Sequence, residues 1–598
     1  MREQFTKKEQ AALLEAFSKI KAEDDVILRT HLESVFVKTE FYDNAQLDGK
    51  CLLVGRKGSG KTAVLYGHKT IHKDRYFTSE EISIDDLPFP AFFNFFYQDF
   101  LKSRDTLKSK RTIESDSLDF IQPERLSHYA WMNSICGVCI MHTARDLLVE
   151  DSALTFLSSE DRKILTDAVK YLARCAGTDY DSIITTTKKN KTVIFTLLLF
   201  FFRRVQSVVE ETLEQELGGL NFVLSAILTR LINMMNKGLD IDLVQVNSII
   251  RKYLNQRGQS VLLTLDKFDD FYDSFYKDTN VTSENGRFAK NTSHQKDLLS
   301  VILDGLLIAA RDISKSSQFD WLDTLFTIPM DKFLEVHLRE RMEFEQNHLL
   351  FVEWNPRELY EFANNRIADA LELTGRQREY AWFELFPDTI QNGNSRVRNR
   401  EESFFYIVRH TLWKPRELQT HIKTVIEEVI RNDGKPLQED EIRKCIRTAS
   451  KDIIRQEFLE EFVKEYPGIG KTLQHLENVK LSSVMDYTEY VSIVGKQAMS
   501  SDVYRADDIV LRHFHMGLIG IRRERPANVT GKNATVRQNE KNIQYSFNYN
   551  SLETNPFSDT DHIKVVIHPL FFDQLGVTHS ENYTVNELRW SMYPKDEK

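Results

Sequence analysis

The sequence has few cysteines and no excess of basic charge. Five cysteines in 598 residues are too few for a disulfide framework, so we expect a chain suited to a reducing cytoplasm. The formal net charge of −10 argues against a protein that coats nucleic acid along its whole surface, although it leaves room for a local basic patch. A hydrophobic content of 41% and a charged content of 28% are typical of a soluble protein, and the length predicts about three compact units.

The sequence also lacks an apolar run long enough to cross a membrane. Its most apolar segment, residues 193–202, is stopped by Arg203 and Arg204, and it is well short of the ~20 residues that a spanning helix needs. The first residues lead into a charged, helix-prone segment instead of a signal peptide. We therefore predict a buried core helix at 193–202, a cytoplasmic location and no membrane partner.

A metal site is not indicated by the only closely spaced cysteine pair. Cys136 and Cys139 are followed by His142, which is a spacing that invites a metal interpretation. However, the chain has no second pair of this kind, and the segment has the composition of a buried helix. We predict a helix over residues 129–149.

The most informative segment is a glycine-rich motif after a short apolar strand. Leu52, Leu53 and Val54 lead directly into the pattern G-x-x-x-x-G-K-T, and residues 63–66 can continue as a helix. This context predicts a phosphate-binding P-loop of the Walker A type, in which backbone N–H groups and the helix N-terminus hold the phosphates. The alternative is a chance glycine-rich turn. The predicted nucleotide-binding residues are Gly55, Lys57, Gly58, Ser59, Gly60, Lys61 and Thr62, with Lys61 on the β- and γ-phosphates and Thr62 on Mg²⁺.

A second motif supplies carboxylates. The apolar run 261–265 ends at Asp266 and is followed by Asp269 and Asp270. A carboxylate at the C-terminal edge of a buried parallel strand faces the ligand crevice. We expect Asp266 to hold Mg²⁺ through its water shell and Asp269 or Asp270 to position or deprotonate the attacking water, so that the chain hydrolyses ATP. The alternative is a strand end capped by solvated acids.

These motifs resemble those of known NTPases. Asp266, Phe268, Asp269 and Asp270 resemble the second motif of STAND and KAP NTPases, and residues 35–42 resemble the segment before the P-loop in the FunZ-like bacterial ATPases adjacent to that clade. Residues 351–354, 413–417 and 566–571 add weaker similarity. Two departures are Lys267, where relatives usually have a small residue, and Pro329-Met330-Asp331, where relatives tend to have Arg followed by Asp.

The resemblance implies a biological role as well as a chemistry. It implies a STAND-like switch ATPase that uses ATP and Mg²⁺, in which the nucleotide state sets domain packing and oligomerisation. It also implies a component of bacterial anti-phage defence that acts with a separate effector protein, because the sequence shows no nuclease, deaminase or protease motif.

The spacing of the motifs predicts the domain organisation. About two hundred residues separate Thr62 from Asp266, which is far more than one strand–helix–strand unit needs. We predict an α/β P-loop NTPase core with a parallel sheet at 1–345, which contains a large helical insertion at about 88–255. A helical lid at 346–475, a winged-helix domain at 476–580 and a C-terminal tail at 581–598 follow.

Within these domains the pattern predicts individual elements. A helix at 298–313, a strand at 324–328 and a helix opened by Pro356 follow the second motif, and the chain from there to about Phe462 is predicted to be helical throughout. We expect Arg416, near the start of a helix in this region, to contact the γ-phosphate. The alternative is a surface salt bridge.

The C-terminal part leaves two functions open. A helix at 508–515, a strand that follows it and further strands at 545–549 and 563–567 have the layout of a winged helix. Its basic residues could grip nucleic acid, which would make the chain a DNA-associated ATPase such as a loader or remodeller. We favour an intramolecular or protein contact instead. The basic residues of the predicted wing are Arg522, Arg523, Arg525, Lys532, Arg537 and Lys541.

A homo-oligomer with a composite site is also predicted. The segment at Pro329 and Met330 offers no obvious polar sensor, so the γ-phosphate charge that develops during hydrolysis needs another cation, and an arginine supplied in trans is a common solution. We expect Arg339 or Arg341 to serve in this way, and the alternative is a solvated helix face.

Overall fold

The chain forms two compact units. The computed structural model describes residues 3–18, 25, 30–45, 50–83, 123–150, 157–185, 196, 200, 243–267, 292–330, 333, 347–391, 400–463, 466, 468–498, 506–524, 543–547, 557 and 563–578. One unit, here called the sheet unit, comprises Glu40–Arg56 and Lys61–Val352. The other, here called the helical unit, comprises Met1–Thr39, Lys57–Gly60 and Glu353–Lys598.

A five-stranded parallel sheet is the centre of the sheet unit. Its order is β2-β3-β4-β1-β5, and every neighbouring pair is parallel. All residues of β1 are buried, as expected for a strand whose two faces are both covered. With the helices around it, this sheet confirms the predicted α/β core. The strands are β1 (Leu52–Gly55), β2 (Tyr76–Ser83), β3 (Ser260–Asp266), β4 (Leu322–Pro329) and β5 (Leu349–Phe351).

Helices make up most of the remaining described chain. Those of the sheet unit, and the two that precede it in the chain, are α1 (Lys7–Ser18), α2 (Leu32–Val35), α3 (Glu40–Asn44), α4 (Lys61–Ile71), α5 (Pro123–Val149), α6 (Ser159–Cys175), α7 (Tyr180–Thr185), α8 (Leu243–Arg257) and α9 (Thr292–Lys315). Those after β5 are α10 (Pro356–Ala370), α11 (Arg376–Glu379), α12 (Trp382–Leu385), α13 (Ser403–Val408), α14 (Pro415–Arg431), α15 (Glu439–Ile453), α16 (Leu459–Phe462), α17 (Ile469–Glu477), α18 (Tyr487–Ala498) and α19 (Ala506–Met516).

The sheet unit has one large apolar core. α5 packs along α9 and against α6, and side chains of these helices join those of β1, β3 and β4 in a single buried cluster. Cys136 and Cys139 are buried in this cluster on α5, so the predicted helix at 129–149 is confirmed. The predicted helix at 193–202 lies outside the described residues, apart from Thr196 and Phe200.

The helical unit begins with the first residues of the chain. α1 packs on α14 and α10, its side chains Leu13 and Phe17 are buried, and the Phe5 N–H donates to the Gly434 carbonyl. The NTPase domain predicted at 1–345 includes these residues, whereas Met1–Thr39 belong to the helical unit. The reason is long-range packing, which the local pattern of an N-terminal helix does not encode.

The boundary between the units also differs from the expected one. The predicted lid begins at residue 346, but Leu349 and Leu350 pair with Leu52 and Leu53 as part of β5. The structure therefore places the boundary after Val352. The predicted lid and winged-helix domains fall within one compact unit, because a single buried cluster includes Leu412 and Phe458 together with Phe514 and Phe571.

Helix boundaries in this unit follow capping chemistry. Asn355 and Glu358 form a reciprocal capping box at the start of α10, and Pro356 occupies its first turn, as expected for the residue type. Pro415 opens α14 in the same way. A π-helical turn, Ile454–Phe458, follows α15.

The prediction of helices alone from Pro356 to about Phe462 is wrong at one place. The strands β6 (Thr389–Gln391) and β7 (Arg400–Glu402) form an antiparallel pair. Arg400 donates to the Thr389 hydroxyl over 2.7 Å and forms an ion pair with Glu439 of α15. These tertiary contacts outweigh the weak strand propensity of the sequence.

A four-stranded sheet lies near the C-terminus of the helical unit. Its order is β10-β9-β11-β8, with antiparallel pairs throughout. The predicted strands correspond to β9, β10 and β11, and the predicted helix at 508–515 corresponds to α19, whereas β8 was not predicted. The strands are β8 (Val484–Asp486), β9 (Ile519–Glu524), β10 (Ile543–Phe547) and β11 (Ile563–Ile567), and a short 3₁₀ turn, Pro569–Phe571, follows. No helix of the described chain is long and apolar enough to span a bilayer.

The fold predicts that Trp382 is a major source of stability in the helical unit. Its side chain is fully buried, stacks on Phe386 with the ring centroids 4.1 Å apart, and donates from Nε1 to the Ser403 hydroxyl. Trp382→Ala should lower the free energy of unfolding by about 3–5 kcal/mol, because it leaves a large cavity. Chemical denaturation followed by circular dichroism measures this change. Tyr380→Ala is the control, because Tyr380 is 52% exposed, and an equal loss in both variants would contradict the assignment.

Candidate functional site

The glycine-rich loop, residues 55–62, connects β1 to α4. Gly58 and Gly60 have φ angles of +81° and +94°. Glycine adopts this region readily because it has no Cβ, whereas other residues seldom do. These two glycines let the backbone turn between the end of the strand and the first turn of the helix. α4 is 11 residues long, so its N-terminus presents free backbone N–H groups and a partial positive charge at the end of the loop.

Lys61 is a buried cation at this helix start. Its side chain is 8% exposed, and its Nζ donates to the carbonyl of Gly55 over 2.9 Å and to that of Arg56 over 3.2 Å. Among the residues that the structure describes, no carboxylate forms an ion pair with this ammonium group. A buried charge that is compensated only by carbonyl dipoles is well suited to attract an anion.

Asp266 lies at the same edge of the sheet as the loop. The Thr62 hydroxyl donates to Asp266 Oδ2 over 2.7 Å, and the Thr327 hydroxyl donates to Oδ1. β4, which carries Thr327, lies between β1 and β3, so parallel strands bring the three residues together at their carboxyl ends. The carboxylate is 7% exposed and is held by hydroxyl groups, with no basic side chain of the described residues paired to it.

The residue after this carboxylate is conformationally unusual. Lys267 has a φ angle of +68°, which lies in the left-handed region and costs on the order of 1 kcal/mol for a residue with a side chain. The backbone therefore carries local strain directly after Asp266.

Trp354 fixes the tip of the loop within the helical unit. Its Nε1 donates to the Ser59 carbonyl over 2.6 Å, and its ring lies 3.7 Å from the position that a Cβ on Gly60 would occupy. The indole in turn packs edge-on against Phe362 of α10. The Ser59 Oγ is buried and has no hydrogen-bond partner in the described chain, so it is available to a ligand.

Arg416 lies against the same loop tip. Its Cδ and Cβ are 3.2 and 3.3 Å from the Cβ position of Gly58, so even alanine there would press on the arginine. Its Nε is buried and has no hydrogen-bond partner among the described residues. Arg416 is only partly buried, and none of the described carboxylates lies within ion-pairing distance of it.

Acidic side chains surround the start of α14. Lys414 Nζ is 2.6 Å from Glu461 and 3.7 Å from Glu417. Burial raises the pKa of Glu417 to about 7, although Lys414 opposes the shift. Burial also raises the pKa of Glu457, and Arg416 is the cation that opposes this rise most strongly, followed by Lys414.

The structure brings most of the predicted site residues to one of two places. Gly55, Lys61, Thr62 and Asp266 meet at the edge of the parallel sheet, and the loop tip at 57–60 meets Arg416. Of the other predicted residues, Arg522 and Arg523 lie on β9. The remainder lie outside the described part of the chain: Asp269, Asp270, Arg339, Arg341, Arg525, Lys532, Arg537 and Lys541.

Three residues of the site were not predicted. Thr327 had a usable signal, because it is a hydroxyl residue within an otherwise apolar strand. Trp354 follows β5 closely, but nothing local indicates that its indole reaches Ser59. Glu457 lies in a helical segment rich in glutamate, so its sequence environment does not distinguish it from a solvated acid.

Comparisons with known proteins add no relatives to these observations. No protein-family model matches the chain, and neither curated proteins nor solved structures give a significant match.

We predict that the hydrogen bond from Trp354 to the Ser59 carbonyl restrains the loop tip. Trp354→Phe removes one hydrogen bond to the Ser59 carbonyl, which is worth about 0.5–1.5 kcal/mol. Amide exchange in the loop should therefore become roughly 3- to 10-fold faster by mass spectrometry. Trp382→Phe is a matched control, because it also deletes an indole hydrogen bond, to the Ser403 hydroxyl. It should leave loop exchange unchanged, and equal exchange in Trp354→Phe and the parent protein would show that the contact does not hold the loop.

Proposed function

We propose that the chain is a P-loop NTPase that binds and hydrolyses ATP with Mg²⁺. The observation that carries the proposal is that two buried charges without an ion-pair partner in the described chain both adjoin Thr62. Lys61 precedes Thr62 in the chain, and Asp266 accepts a hydrogen bond from the Thr62 hydroxyl. The two form no ion pair with each other in the described chain. A ligand that contains both an anion and a divalent cation would compensate both charges.

The loop is suited to the phosphates of such a ligand. Backbone N–H groups around Gly58 and Gly60 would donate to the phosphates, and so would those of the α4 N-terminus. Lys61 would exchange its two carbonyl partners for the β- and γ-phosphates. Ser59 and Arg416 supply a buried hydroxyl and a guanidinium group at the loop tip, and we assign Arg416 to the γ-phosphate.

The donor set beside the loop fits Mg²⁺. Thr62 and Asp266 offer hydroxyl and carboxylate oxygen, which are the hard ligands that this ion prefers, and Mg²⁺ usually retains several waters. Thr62 would bind the ion directly and Asp266 would bind its water shell, while Thr327 holds the carboxylate in orientation. When bound, Mg²⁺ neutralises phosphate charge.

Further parts of the proposal rest on the sequence alone. Asp269 and Asp270 follow Asp266 closely, and we assign one of them to positioning or deprotonating the attacking water. The resemblance to STAND and FunZ-like ATPases supports a switch that acts in anti-phage defence as a cytoplasmic oligomer with a separate effector. Arg339 or Arg341 would complete the site of a neighbouring copy.

The C-terminal sheet is proposed to be the wing of a winged helix. α19 leads into β9, and β10 and β11 pair on either side of it. On β9, Arg522 is directly opposite Lys564 of β11, but Asp486 of β8 lies on the other side of Lys564. An acidic residue therefore lies beside this basic pair in the register of the sheet, and we favour a protein contact over DNA. The DNA-associated ATPase stays a prediction based on the basic residues outside the described chain.

Nucleotide binding should depend on Lys61. Lys61→Ala removes the cation that compensates the β- and γ-phosphates, so affinity for ATP should fall on the order of 10²-fold while the fold is kept. Isothermal calorimetry measures the affinity. Lys50→Ala is the matched control, because the Lys50 Nζ also donates to a backbone carbonyl, that of Leu349, at the opposite edge of the sheet. Equal affinities in the two variants would remove the P-loop assignment.

Asp266 should be responsible for the effect of Mg²⁺ on ATP affinity and hydrolysis. Asp266→Asn should retain ATP binding without metal but lose most of the gain in affinity that Mg²⁺ provides, together with at least 10²-fold in hydrolysis. Asp323→Asn is the control, because the Asp323 carboxylate also accepts a hydroxyl, from Ser260 over 2.7 Å, at the other edge of the sheet. A normal Mg²⁺ response in Asp266→Asn would place the metal elsewhere.

A further inference from the structure

A single indole hydrogen bond fixes the direction of one peptide group in the glycine-rich loop. Trp354 donates from Nε1 to the Ser59 carbonyl over 2.6 Å. The carbonyl and the N–H of one planar trans peptide group point in opposite directions. The bond therefore directs the N–H of the next residue, Gly60, away from the indole and toward the side of the loop that the indole does not cover.

The indole that makes this bond is held in place by the residues behind it. Trp354 is 9% exposed, and its ring packs edge-on against Phe362 with the ring centroids 5.9 Å apart. The guanidinium group of Arg366 lies over the Phe362 ring, 4.8 Å from its centroid. Because these contacts restrict the indole before any ligand binds, the orientation of the peptide group is set in advance, which lowers the entropic cost of binding.

The N–H that is aimed in this way lies beside the conserved chemistry of the loop. Gly60 has a φ angle of +94°, which residues with a Cβ rarely adopt, and backbone N–H groups in such loops attract anions. Gly60 directly precedes Lys61, which is assigned to the β- and γ-phosphates. The Gly60 N–H would therefore donate to the β-phosphate, which ATP and ADP share.

Arg416 contacts a different part of the same loop tip. Its Cδ lies 3.2 Å from the Cβ position of Gly58, two residues before Gly60. Arg416 is assigned to the γ-phosphate, which ADP lacks. Trp354 and Arg416 thus contact different residues of the loop, and we expect them to act on different parts of the phosphate chain.

We propose that Trp354 is a positioning residue, whose indole N–H aims the Gly60 N–H at the β-phosphate of a bound nucleotide. The inference rests on the proposed nucleotide site. It assigns to Trp354 a share of the affinity that ATP and ADP have in common, and it assigns to Arg416 the preference for ATP over ADP.

The test is the affinity of the full chain for ATP and for ADP by calorimetry. Replacement of Trp354 by 3-benzothienylalanine keeps the shape of the ring system and puts sulfur in the place of the indole N–H. Both ligands should bind about fivefold more weakly, which is the effect of one neutral hydrogen bond, and the ratio of their affinities should change by less than about twofold. Unchanged affinity for both ligands would overturn the proposal.

Two controls isolate the indole N–H. Replacement of Trp354 by 5-fluorotryptophan retains the N–H and should leave both affinities at the level of the parent protein. Trp382→Phe removes an indole hydrogen bond to the Ser403 hydroxyl instead, and it should also leave both affinities unchanged. A loss with 5-fluorotryptophan equal to the loss with 3-benzothienylalanine would show that ring packing is responsible, and it would overturn the proposal.

Arg416→Ala separates the two roles at the loop tip. ATP should bind about tenfold more weakly, because a charge-assisted hydrogen bond is lost, and ADP by less than about twofold. If the 3-benzothienylalanine protein shows the same pattern, with a loss confined to ATP, Trp354 acts on the γ-phosphate and the proposal is overturned.

Hydrogen exchange tests the orientation of the peptide group independently of affinity. Saturating ADP should slow amide exchange in residues 57–61 of the parent protein, because the amides donate to phosphate, and it should slow exchange less in the 3-benzothienylalanine protein. Equal protection of this segment in the two proteins would overturn the proposal.

The outcomes separate this inference from the proposed function. If ATP binds in a Lys61-dependent manner but the 3-benzothienylalanine protein binds ATP and ADP as the parent protein does, the nucleotide site stands and the role of Trp354 falls. If the folded parent protein binds no nucleotide, both fall together.

Discussion

The hydrogen bond from Thr62 to Asp266 is the interaction on which the account of the site depends. It joins residues 204 positions apart. Thr62 lies in the first turn of α4, and Asp266 ends β3, a strand that is not a neighbour of β1 in the sheet. The bond exists because β4 lies between β1 and β3 and because all three strands run in the same direction. A different strand order would separate the hydroxyl from the carboxylate, so the site is a property of the assembled sheet and not of the loop alone.

Two buried charges lie at this edge of the parallel sheet, and they are not paired with each other in the described chain. Lys61 and Asp266 are both more than nine-tenths buried, yet each is held by neutral groups, carbonyls for the lysine and hydroxyls for the aspartate. A direct ion pair between them would compensate both charges within the protein, and the electrostatic attraction available to a ligand would be weaker. Keeping buried charges apart lowers stability, and ligand binding recovers that free energy. The helical unit shows the opposite solution at Lys414, whose charge is met by Glu461 and Glu417.

The elements that the sequence predicts are those whose cause is local. β1, β3, β4, α9 and α10 follow from apolar runs and from capping residues, and the bounds of α10 agree with the expected start at Pro356. The loop residues were found because glycine at a positive φ has a local signature. The prediction is wrong or absent where tertiary contacts determine the structure. β6 and β7 form a pair that Arg400 supports through Glu439 of α15, and Trp354 reaches Ser59 across 295 positions of sequence.

The central claim is that the uncompensated Lys61 and Asp266 form one site for a nucleotide and its metal. The most direct measurement is calorimetric titration of the full, unmodified chain with ATP, in the presence and in the absence of Mg²⁺. The account predicts one ATP per chain and an affinity that Mg²⁺ raises by about tenfold or more, because the ion uses the carboxylate that ATP alone leaves uncompensated. Binding that is indifferent to Mg²⁺, or no binding by a chain shown to be folded, would contradict it.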